Sequence, residues 1–291
     1  MAATAAPSVP RPRRRRARLG VRRAGPLTYT ALALIALASM FPLWWTFVVA
    51  SSGNEVLADT TPPLTPGGHL FDNISRVFDS VEFWTAIRNS LIISSAVALS
   101  NVVFSSLAGF AFSKLRFPGR NALMVVVVAT LMVPTQLGII PLYMLMTDFG
   151  LYGSLWAVIL PGAVSAFGVF WMRQAIDEGI PDELVEAARM DGANLLRVWW
   201  SVIVPGVRNT ASVLGLFVFM TAWNDFFWPL VVLPPDNGTV QTALNQLAAG
   251  YYTDYALMLS GAVLAVIPLL ILFALLARRV IAGVMSGAVK G

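Results

Sequence analysis

The chain has 291 residues, of which 57% are hydrophobic and only 12% are charged, and its mean hydropathy is +0.72. Soluble domains usually carry about a quarter charged residues, so the composition predicts an integral membrane protein without a sizeable soluble domain. The lack of cysteine excludes disulfides and cysteine-ligated metals, and His69, the single histidine, excludes a histidine-rich metal site.

The net charge of +5 comes mostly from residues 1–26, where arginines alternate with Pro, Ala and Gly. Such a composition cannot bury a core, so we predict a disordered basic tail that precedes one membrane domain over residues 27–291. Basic residues beside a first span hold the N-terminus in the cytoplasm. This role explains the charge without a nucleic acid partner, and binding of anionic lipid is a lesser alternative.

A bilayer core about 30 Å thick is crossed by roughly 20 apolar residues of helix. Six stretches of the chain are long and apolar enough, so the sequence predicts an all-α fold with six transmembrane helices. They lie near residues 27–51, 89–113, 121–145, 152–175, 207–232 and 257–280. An even number of spans places both termini on one side of the membrane.

Basic residues give the predicted orientation of these spans. With the N-terminus inside, nearly all of the 20 Lys and Arg lie on the cytoplasmic side, and only Arg76 and Arg88 lie outside. Because Lys and Arg concentrate in cytoplasmic loops, both termini and the loop between spans four and five are predicted to be cytoplasmic.

Two longer loops are predicted on the outer side. Residues 52–88 are rich in Pro, Gly, Asp and Thr and include His69, which we expect to be a solvated surface residue. Residues 233–256 contain the strong turn signal Pro234–Gly238. A short amphipathic run over 239–249 follows the turn.

The cytoplasmic loop between spans four and five carries the pattern of a short surface helix. Pro181 and Asp182 suit a first helical turn, since proline is preorganised there and acids favour the positive end of the helix dipole. We predict a helix from Leu184 to about Gly192. Residues four apart share a helix face, so Ala188 and Gly192 would let another surface approach closely.

Carboxylates surround this predicted helix, and a partner's arginine can pair with them. They are Glu183, Glu186 and Asp191. A second short helix is predicted to begin near Asn194, and Pro205 is expected to force a bend before the fifth span.

The same loop contains a spaced signature: Glu-Ala-Ala, three residues, Gly, nine residues, then apolar-x-apolar-Pro. Its residues are Glu186, Ala187, Ala188, Gly192, Val202, Val204 and Pro205. This signature resembles the loop of permease subunits of binding-protein-dependent ABC importers, which usually have Ile and Leu where Val202 and Val204 stand. Three more stretches resemble the carbohydrate branch of that family, the maltose-type and glycerol-phosphate-type permeases: Ala111–Gly119, Trp223–Leu230 and Ser286–Gly291.

The resemblance covers the chain from about residue 27 and implies a mechanism. Two six-span permeases would pair in the bacterial plasma membrane, two ATPase subunits would bind their cytoplasmic helices, and an extracytoplasmic binding protein would deliver a carbohydrate. It implies an ATPase-coupling contact made by Glu183, Glu186, Ala187, Ala188, Asp191, Gly192 and Pro205. Glu186 would be the charged contact, and Gly192 would allow a sharp, close fit. The alternative is an interfacial amphipathic helix without a partner.

Trp223, Asn224 and Asp225 stand near the outer end of the fifth span. A carboxylate at the centre of a membrane helix costs on the order of 3 kcal/mol to insert, so Asp225 needs a partner or water. One hypothesis is that the three residues line the substrate path, where aromatic faces and polar acceptors suit sugar hydroxyls. The other is a structural hydrogen bond at the outer ends of the helices, or a position already at the aqueous interface.

The resemblance also implies that the loop over 233–256 contacts the binding protein. The candidate contacts are Asn245, Gln246, Tyr252 and Asp254. An aromatic belt at the membrane surface is the simpler explanation for the tyrosines.

ATP hydrolysis is not expected of this chain. A phosphate-binding loop needs a Gly-rich turn closed by Lys and Ser or Thr, and neither Lys114 nor Lys290 follows one. We therefore expect a non-catalytic subunit with no cofactor of its own, while ATP and Mg²⁺ bind a separate ATPase subunit. The alternatives are the same architecture importing a polyol, glycerol phosphate or oligopeptide, and an ion-coupled secondary transporter.

Overall fold

The structure, a computed structural model, describes residues 25–57, 63–249 and 254–288, with side chains up to residue 277. Residues 1–24 of the predicted tail therefore lie outside the described part of the chain. The described residues contain helices and no β-strand, which confirms the all-α prediction. The α-helices are α1 Pro26–Ala50, α2 Leu70–Ser80, α3 Phe83–Lys114, α4 Arg120–Thr130, α5 Ile139–Asp148, α6 Trp156–Gly162, α7 Ala166–Gly179, α8 Asp182–Met190, α9 Leu195–Val198, α10 Val204–Trp223, α11 Phe227–Val232, α12 Val240–Ala248 and α13 Tyr255–Ala288.

Four helical stretches among the described residues are long and apolar enough to cross a membrane. They are Pro26–Ala50, Phe83–Lys114, Leu195–Trp223 and Tyr255–Ala277. Two bent pairs also qualify: Arg120–Thr130 with Thr135–Asp148, bent by 92°, and Trp156–Gly162 with Ala166–Gly179, bent by 42°. The described residues thus hold four to six candidate spans, a range that includes the predicted six.

The third predicted span, 121–145, is not one continuous helix. The helix α4 ends at Thr130, and the chain turns sharply before a short 3₁₀ turn over Thr135–Gly138 leads into α5. Pro134 explains the break, because proline lacks an amide proton and disfavours helical backbone at the residue before it.

The prediction of one continuous fifth span over 207–232 was wrong at its C-terminal end. The helix α10 stops at Trp223, and α11 begins after a short break. Asn224 donates from Nδ2 to the carbonyl oxygen of Met220 at 2.8 Å. The backbone amide of Asn224 donates to the same oxygen at 3.1 Å, so the last turn of α10 ends with both groups on one acceptor.

The loop predicted over 52–88 contains α2, an amphipathic helix that the polar composition concealed. Asn73 is buried and fixes this helix to the end of α1. Its Nδ2 donates to the carbonyl oxygens of Ala50 and Ser52, both at 2.9 Å.

The chain divides between Trp44 and Trp45 into two compact units. The first contains most of α1. The second contains all the other helices, and α3 is its central element, packed most extensively on α7 and α10.

Two glycines lie where α3 and α7 pack closely, Gly109 against backbone atoms and Gly168 against side-chain oxygens. A Cβ on Gly109 would lie 2.7 Å from the backbone nitrogen of Arg173, and a Cβ on Gly168 would lie 2.4 Å from Oγ of Ser105. Real Cβ atoms do not approach so closely, so these positions require glycine as long as the helices keep this separation.

A buried polar cluster holds α3 against the bend between α6 and α7. Asn101 donates from Nδ2 to the carbonyl oxygen of Gly162 at 3.3 Å. Its Oδ1 accepts from the hydroxyls of Ser105, at 3.1 Å, and Ser165, at 3.3 Å. The polar groups freed by the bend are therefore satisfied within the protein, as a membrane-spanning segment requires.

The helix α3 connects two ends of the second unit, here called the α12 end and the α8 end. At the α12 end, Asn89 donates from Nδ2 to Oδ1 of Asn237 at 2.8 Å, and the amide of Val240 donates to Oγ of Ser90 at 2.8 Å. At the α8 end, α3 finishes at Lys114, beside the first residue of α8.

Candidate functional site

The chain passes from α7 to α8 through Ile180 and Pro181. Ile180 is buried with extended backbone angles, and Pro181 precedes the first turn of α8. Asp182 lies in the first turn and Arg189 in the last, so the charges complement the helix dipole. The predicted surface helix is confirmed, and it begins two residues before Leu184.

Most of the predicted contact residues of α8 face away from the rest of the chain. Val185 turns inward and is buried, whereas Glu183, Glu186 and Ala187 are exposed. Ala188 is half-buried and packs against the core beneath the helix. Within the described part of the chain, no ion pair involves either glutamate, so both carboxylates are available to another molecule.

The predicted common face of Ala188 and Gly192 was wrong, because α8 ends at Met190 and Gly192 lies beyond it. Gly192 has a φ of 79°, which only glycine adopts readily. Its amide donates to the carbonyl oxygen of Arg189 at 3.0 Å, and the amide of Ala193 donates to that of Ala188 at 3.0 Å. These two bonds form a Schellman cap. A Cβ at Gly192 would meet no atom within 4 Å, so the turn, rather than contact within this chain, requires the glycine.

Asn194 begins the second short helix, as predicted. Its Oδ1 accepts from the amide of Arg197 at 2.8 Å, which caps α9. Pro205 does not interrupt the helix, which continues without a break from Leu195 to Trp223. A π-helical turn over Trp199–Ile203 precedes the proline, and the amide of Val204 donates to the carbonyl oxygen of Trp199. This wider turn accommodates Pro205, whose ring is exposed.

Buried apolar residues support the loop from below. Ile180, Val185 and Ile203 belong to one core cluster, and Val202 and Val204 pack against it. The two halves of the spaced signature therefore differ: the Glu-Ala-Ala half is mainly exposed, and the apolar half anchors the loop.

An ion pair that the sequence analysis missed joins α3 to α8. Lys114 donates from Nζ to Oδ1 of Asp182 at 2.6 Å, and Ser113 donates from Oγ to Oδ1 of Asp177 at 2.5 Å. The hydrogen bond and charge of Lys114 lower the pKa of Asp182 below its ordinary value. Ser113 and Lys114 lie in Ala111–Gly119, one of the stretches that resemble the carbohydrate permeases. The resemblance marked these residues but assigned them no role.

Trp223, Asn224 and Asp225 are brought together at the α12 end, but they differ in exposure. Trp223 is buried and stacks on Phe219 with 5.9 Å between ring centroids. Asn224 is exposed and accepts from Nε2 of Gln241 at 3.3 Å. The half-buried carboxylate of Asp225 accepts from backbone amides at the start of α11, so only Asn224 and Asp225 reach open space here.

The candidates for binding-protein contact also separate into different roles. Asn245 and Gln246 are exposed on α12, while Tyr252 lies outside the described residues. Asp254 has structural partners: its Oδ1 accepts from the amide of Leu257 at 2.9 Å, and its Oδ2 pairs with Arg76 at 2.5 Å. Asp254 therefore caps α13 and fixes it to α2.

Among the side chains that the structure describes, no three or more His, Asp or Glu residues lie together in a group that could hold a metal ion. The arrangement is one of exposed carboxylates and small residues on a rigidly supported surface helix. Such a surface suits protein contact better than chemistry.

A family model for the binding-protein-dependent transport system inner membrane component matches residues 101–285. This match includes the whole loop from α7 to α10. The chain belongs to this family of transport permeases. A multi-pass permease of the inner membrane agrees with the apolar helices described above.

Curated relatives match this permease over nearly its full length. The lactose transport system permease protein LacG of Rhizobium radiobacter is 36% identical over 267 residues, covering 90% of this chain and 95% of that protein. The arabinooligosaccharides transport system permease protein AraQ of Halalkalibacterium halodurans is 33% identical, covering 89% and 94%. The sn-glycerol-3-phosphate transport system permease protein UgpE of Shigella flexneri serotype 5b is 29% identical, covering 89% and 95%.

A solved structure supports the fold of the permease. It is the crystal structure of a bacterial ABC transporter involved in the import of the acidic polysaccharide alginate. The TM-score is 0.75 at 24% identity, and the match covers 87% of this chain and 94% of that one. The ion-coupled secondary transporter is left without support.

Proposed function

We propose that this permease forms half of the translocation pathway of an ATP-driven carbohydrate importer. Two of the relatives named above are named for lactose and arabinooligosaccharides, and both exceed 30% identity. The relative named for sn-glycerol-3-phosphate is 29% identical. Carbohydrate is therefore the substrate class that the similarities support best.

The proposed topology has six spans and both termini in the cytoplasm of a bacterium. The distribution of basic residues supports it, because Lys114, Arg116, Arg120 and Arg189 lie at the α8 end. Arg76 and Arg88 belong to the α12 end. By the positive-inside rule, the α8 end is cytoplasmic.

The proposed task of α8 is to dock on a separate ATPase subunit, which binds ATP and Mg²⁺. Exposed Glu183 and Glu186 supply charge for arginines of that subunit, and exposed Ala187 lets its surface approach the helix backbone. Gly192 and Asp191 shape the turn that follows. A second permease subunit and a second ATPase subunit complete the proposed complex.

The proposed substrate path and binding-protein surface lie at the α12 end. Asn224 and Asp225 offer acceptors for hydroxyl groups, and Trp223 supports them from the core. Asn245 and Gln246 offer exposed amides to the binding protein, to which Tyr252 would add an aromatic contact. Asp254 would position this loop rather than contact the binding protein directly.

The observation that carries the proposal is the exposed Glu-Ala-Ala segment on a rigidly capped helix. Purifying the complex through this chain tests it, since a second six-span protein and a nucleotide-binding subunit should co-purify. The Glu186→Lys variant should insert into the membrane but lose assembly or transport-coupled ATP turnover. Normal uptake by this variant would contradict the proposed contact.

A further inference from the structure

We propose that Lys114 is a positioning residue that fixes α3 to α8 through Asp182, so that α3 follows α8 when an ATPase subunit displaces it. The inference rests on the proposed coupling role of α8. It assigns a mechanical task to the stretch Ala111–Gly119, which the proposed function leaves unused.

Lys114 and Asp182 differ in burial, and the buried one, Lys114, depends on the pair. The side chain of Lys114 is only 6% exposed, whereas that of Asp182 is 77% exposed. A buried ammonium without a partner is strongly unfavourable. Nζ of Lys114 lies 2.6 Å from Oδ1 of Asp182. Separating the two would leave the buried ammonium group without a partner, so the pair is expected to stay together.

The carboxylate of Asp182 stays charged under cellular conditions. Its hydrogen bond and charge interaction with Lys114 hold its pKa below the ordinary value of 3.8, and the more distant charge of Arg116 acts in the same direction. The ion pair is therefore present throughout the physiological pH range.

Neighbouring bonds fix the end of α3 to α7 and α4. Ser113 donates to Asp177 of α7. The guanidinium of Arg120, in α4, donates to the carbonyl oxygen of Leu115 at 3.2 Å and thereby covers the exposed end of the helix. Lys114 thus projects from a fixed position, and a movement of Asp182 is passed to the helix rather than absorbed by a loose chain end.

Apolar contacts already join α8 to α3 and to its neighbours. Ile180 and Val185 pack in one core cluster with residues of α7 and α10 and with Phe110 of α3, and Ile180 lies close against Gly206, where an added Cβ would stand 2.1 Å from its Cδ1. Lys114 adds a polar contact to α3, the central helix of the unit. Since α3 extends to the α12 end, it can carry the displacement across the membrane.

The test uses the intact importer complex in lipid vesicles and needs no knowledge of the solute. Because the chain has no cysteine, Glu82→Cys, at the exposed residue before α3, provides the one site in this chain for a maleimide dye, and labelling is read on this chain after the subunits are separated. The labelling rate is measured without nucleotide and with ATP, Mg²⁺ and vanadate. ATP hydrolysis and thermal unfolding are measured on the same samples.

In the complex with native Lys114, the labelling rate should change when the nucleotide is bound. Lys114→Glu and Asp182→Asn should each reduce that change at least about fivefold, the low end of typical coupling between sites, while ATP is still hydrolysed. The exchanged pair Lys114→Glu with Asp182→Lys should restore it. Asp72→Asn, which removes an exposed carboxylate paired with His69 at the other end, should change nothing.

Three results would overturn the inference. Asp182→Asn could keep the full nucleotide-dependent change, or Lys114→Glu alone could match the exchanged pair. Variants of Lys114 and Asp182 that changed thermal unfolding but kept the nucleotide-dependent labelling change would show that the ion pair only stabilises the fold. If the complex with native Lys114 itself lacks an ATPase subunit or any nucleotide response, then the proposed function fails instead.

Discussion

The amide of Ala193 donates to the carbonyl oxygen of Ala188 at 3.0 Å, across the left-handed turn at Gly192. This bond ends α8 and directs the chain into α9, so that the Glu-Ala-Ala segment stands at the surface while the next turn returns to the core. The shape of the proposed docking surface thus depends on one backbone conformation.

Replacing Gly192 with alanine should loosen the end of α8. A side chain at positive φ costs about 1–2 kcal/mol, and the space around the position is open, so strain is the single expected effect. Amides of Arg189 to Ala193 should exchange hydrogen faster, and ATP turnover coupled to the binding protein should fall. Gly192→Asn is the matched control, because asparagine tolerates this conformation; equal losses in both variants would show that strain is not the cause.

Replacing Gly109 with alanine should separate α3 from α7. The new Cβ would lie 2.7 Å from the nitrogen of Arg173 and 2.9 Å from the carbonyl carbon of Met172. Overpacking of this kind typically costs 1–3 kcal/mol, so the purified protein should unfold at a lower temperature. Gly179→Ala, where a Cβ meets nothing within 4 Å, should leave that temperature unchanged or raise it slightly, and a loss as large as that of Gly109→Ala would argue against the close packing.

The ion pair of Asp254 and Arg76 should give a pH-dependent contribution to stability. Burial raises the pKa of Asp254, but the amide of Leu257 and the guanidinium of Arg76 together outweigh it and lower the pKa below 3.8. The charged form therefore stabilises the fold above the ordinary pKa, and this stabilisation is lost as the pH falls through the lowered pKa.

The variant Asp254→Asn keeps an N-cap but removes the charge. At neutral pH it should be less stable by a few tenths to about 1 kcal/mol, as expected for a solvent-screened pair. Thermal unfolding should show a difference that is constant well above pH 3.8, shrinks as the pH falls from 3.8 through the lowered pKa, and is absent below it. A difference that grew in acid would contradict the assigned direction.

Asn245→Ala combined with Gln246→Ala should weaken stimulation of ATP hydrolysis by the binding protein. Both side chains are exposed on α12, whereas Leu247 beside them is buried, so the two point changes remove the candidate contacts without disturbing the core. Stimulation is measured by titrating the binding protein against the reconstituted complex. Asp236→Asn, exposed in the preceding turn, is the control and should behave like the unchanged chain; equal loss in the control would remove α12 from the interface.

The sequence predicted elements that depend on local patterns. The long apolar helices follow from composition, and α8 follows from Pro181, Asp182 and the amphipathic run after them. The signature indicated the family because its spacing is specific.

Features that depend on tertiary contacts were missed or misread. The break after Trp223 lies within an apolar stretch, so no hydropathy window detects it. The unbroken helix past Pro205 depends on the π-helical turn before it. The pairing of Lys114 with Asp182 joins residues far apart in the chain, and neither is unusual in its local sequence.

The central claim is that α8 contacts an ATPase subunit in the cytoplasm, and cross-linking tests it most directly. Because the chain lacks cysteine, Ala187→Cys introduces a single thiol in the exposed Glu-Ala-Ala segment, and Asn245→Cys introduces one at the opposite end. With a short thiol-reactive photo-cross-linker in native membranes, Ala187→Cys should capture the nucleotide-binding subunit and Asn245→Cys should not. Labelling of Ala187→Cys by an impermeant maleimide from outside intact cells, or no adduct with the ATPase subunit in the assembled complex, would contradict the account.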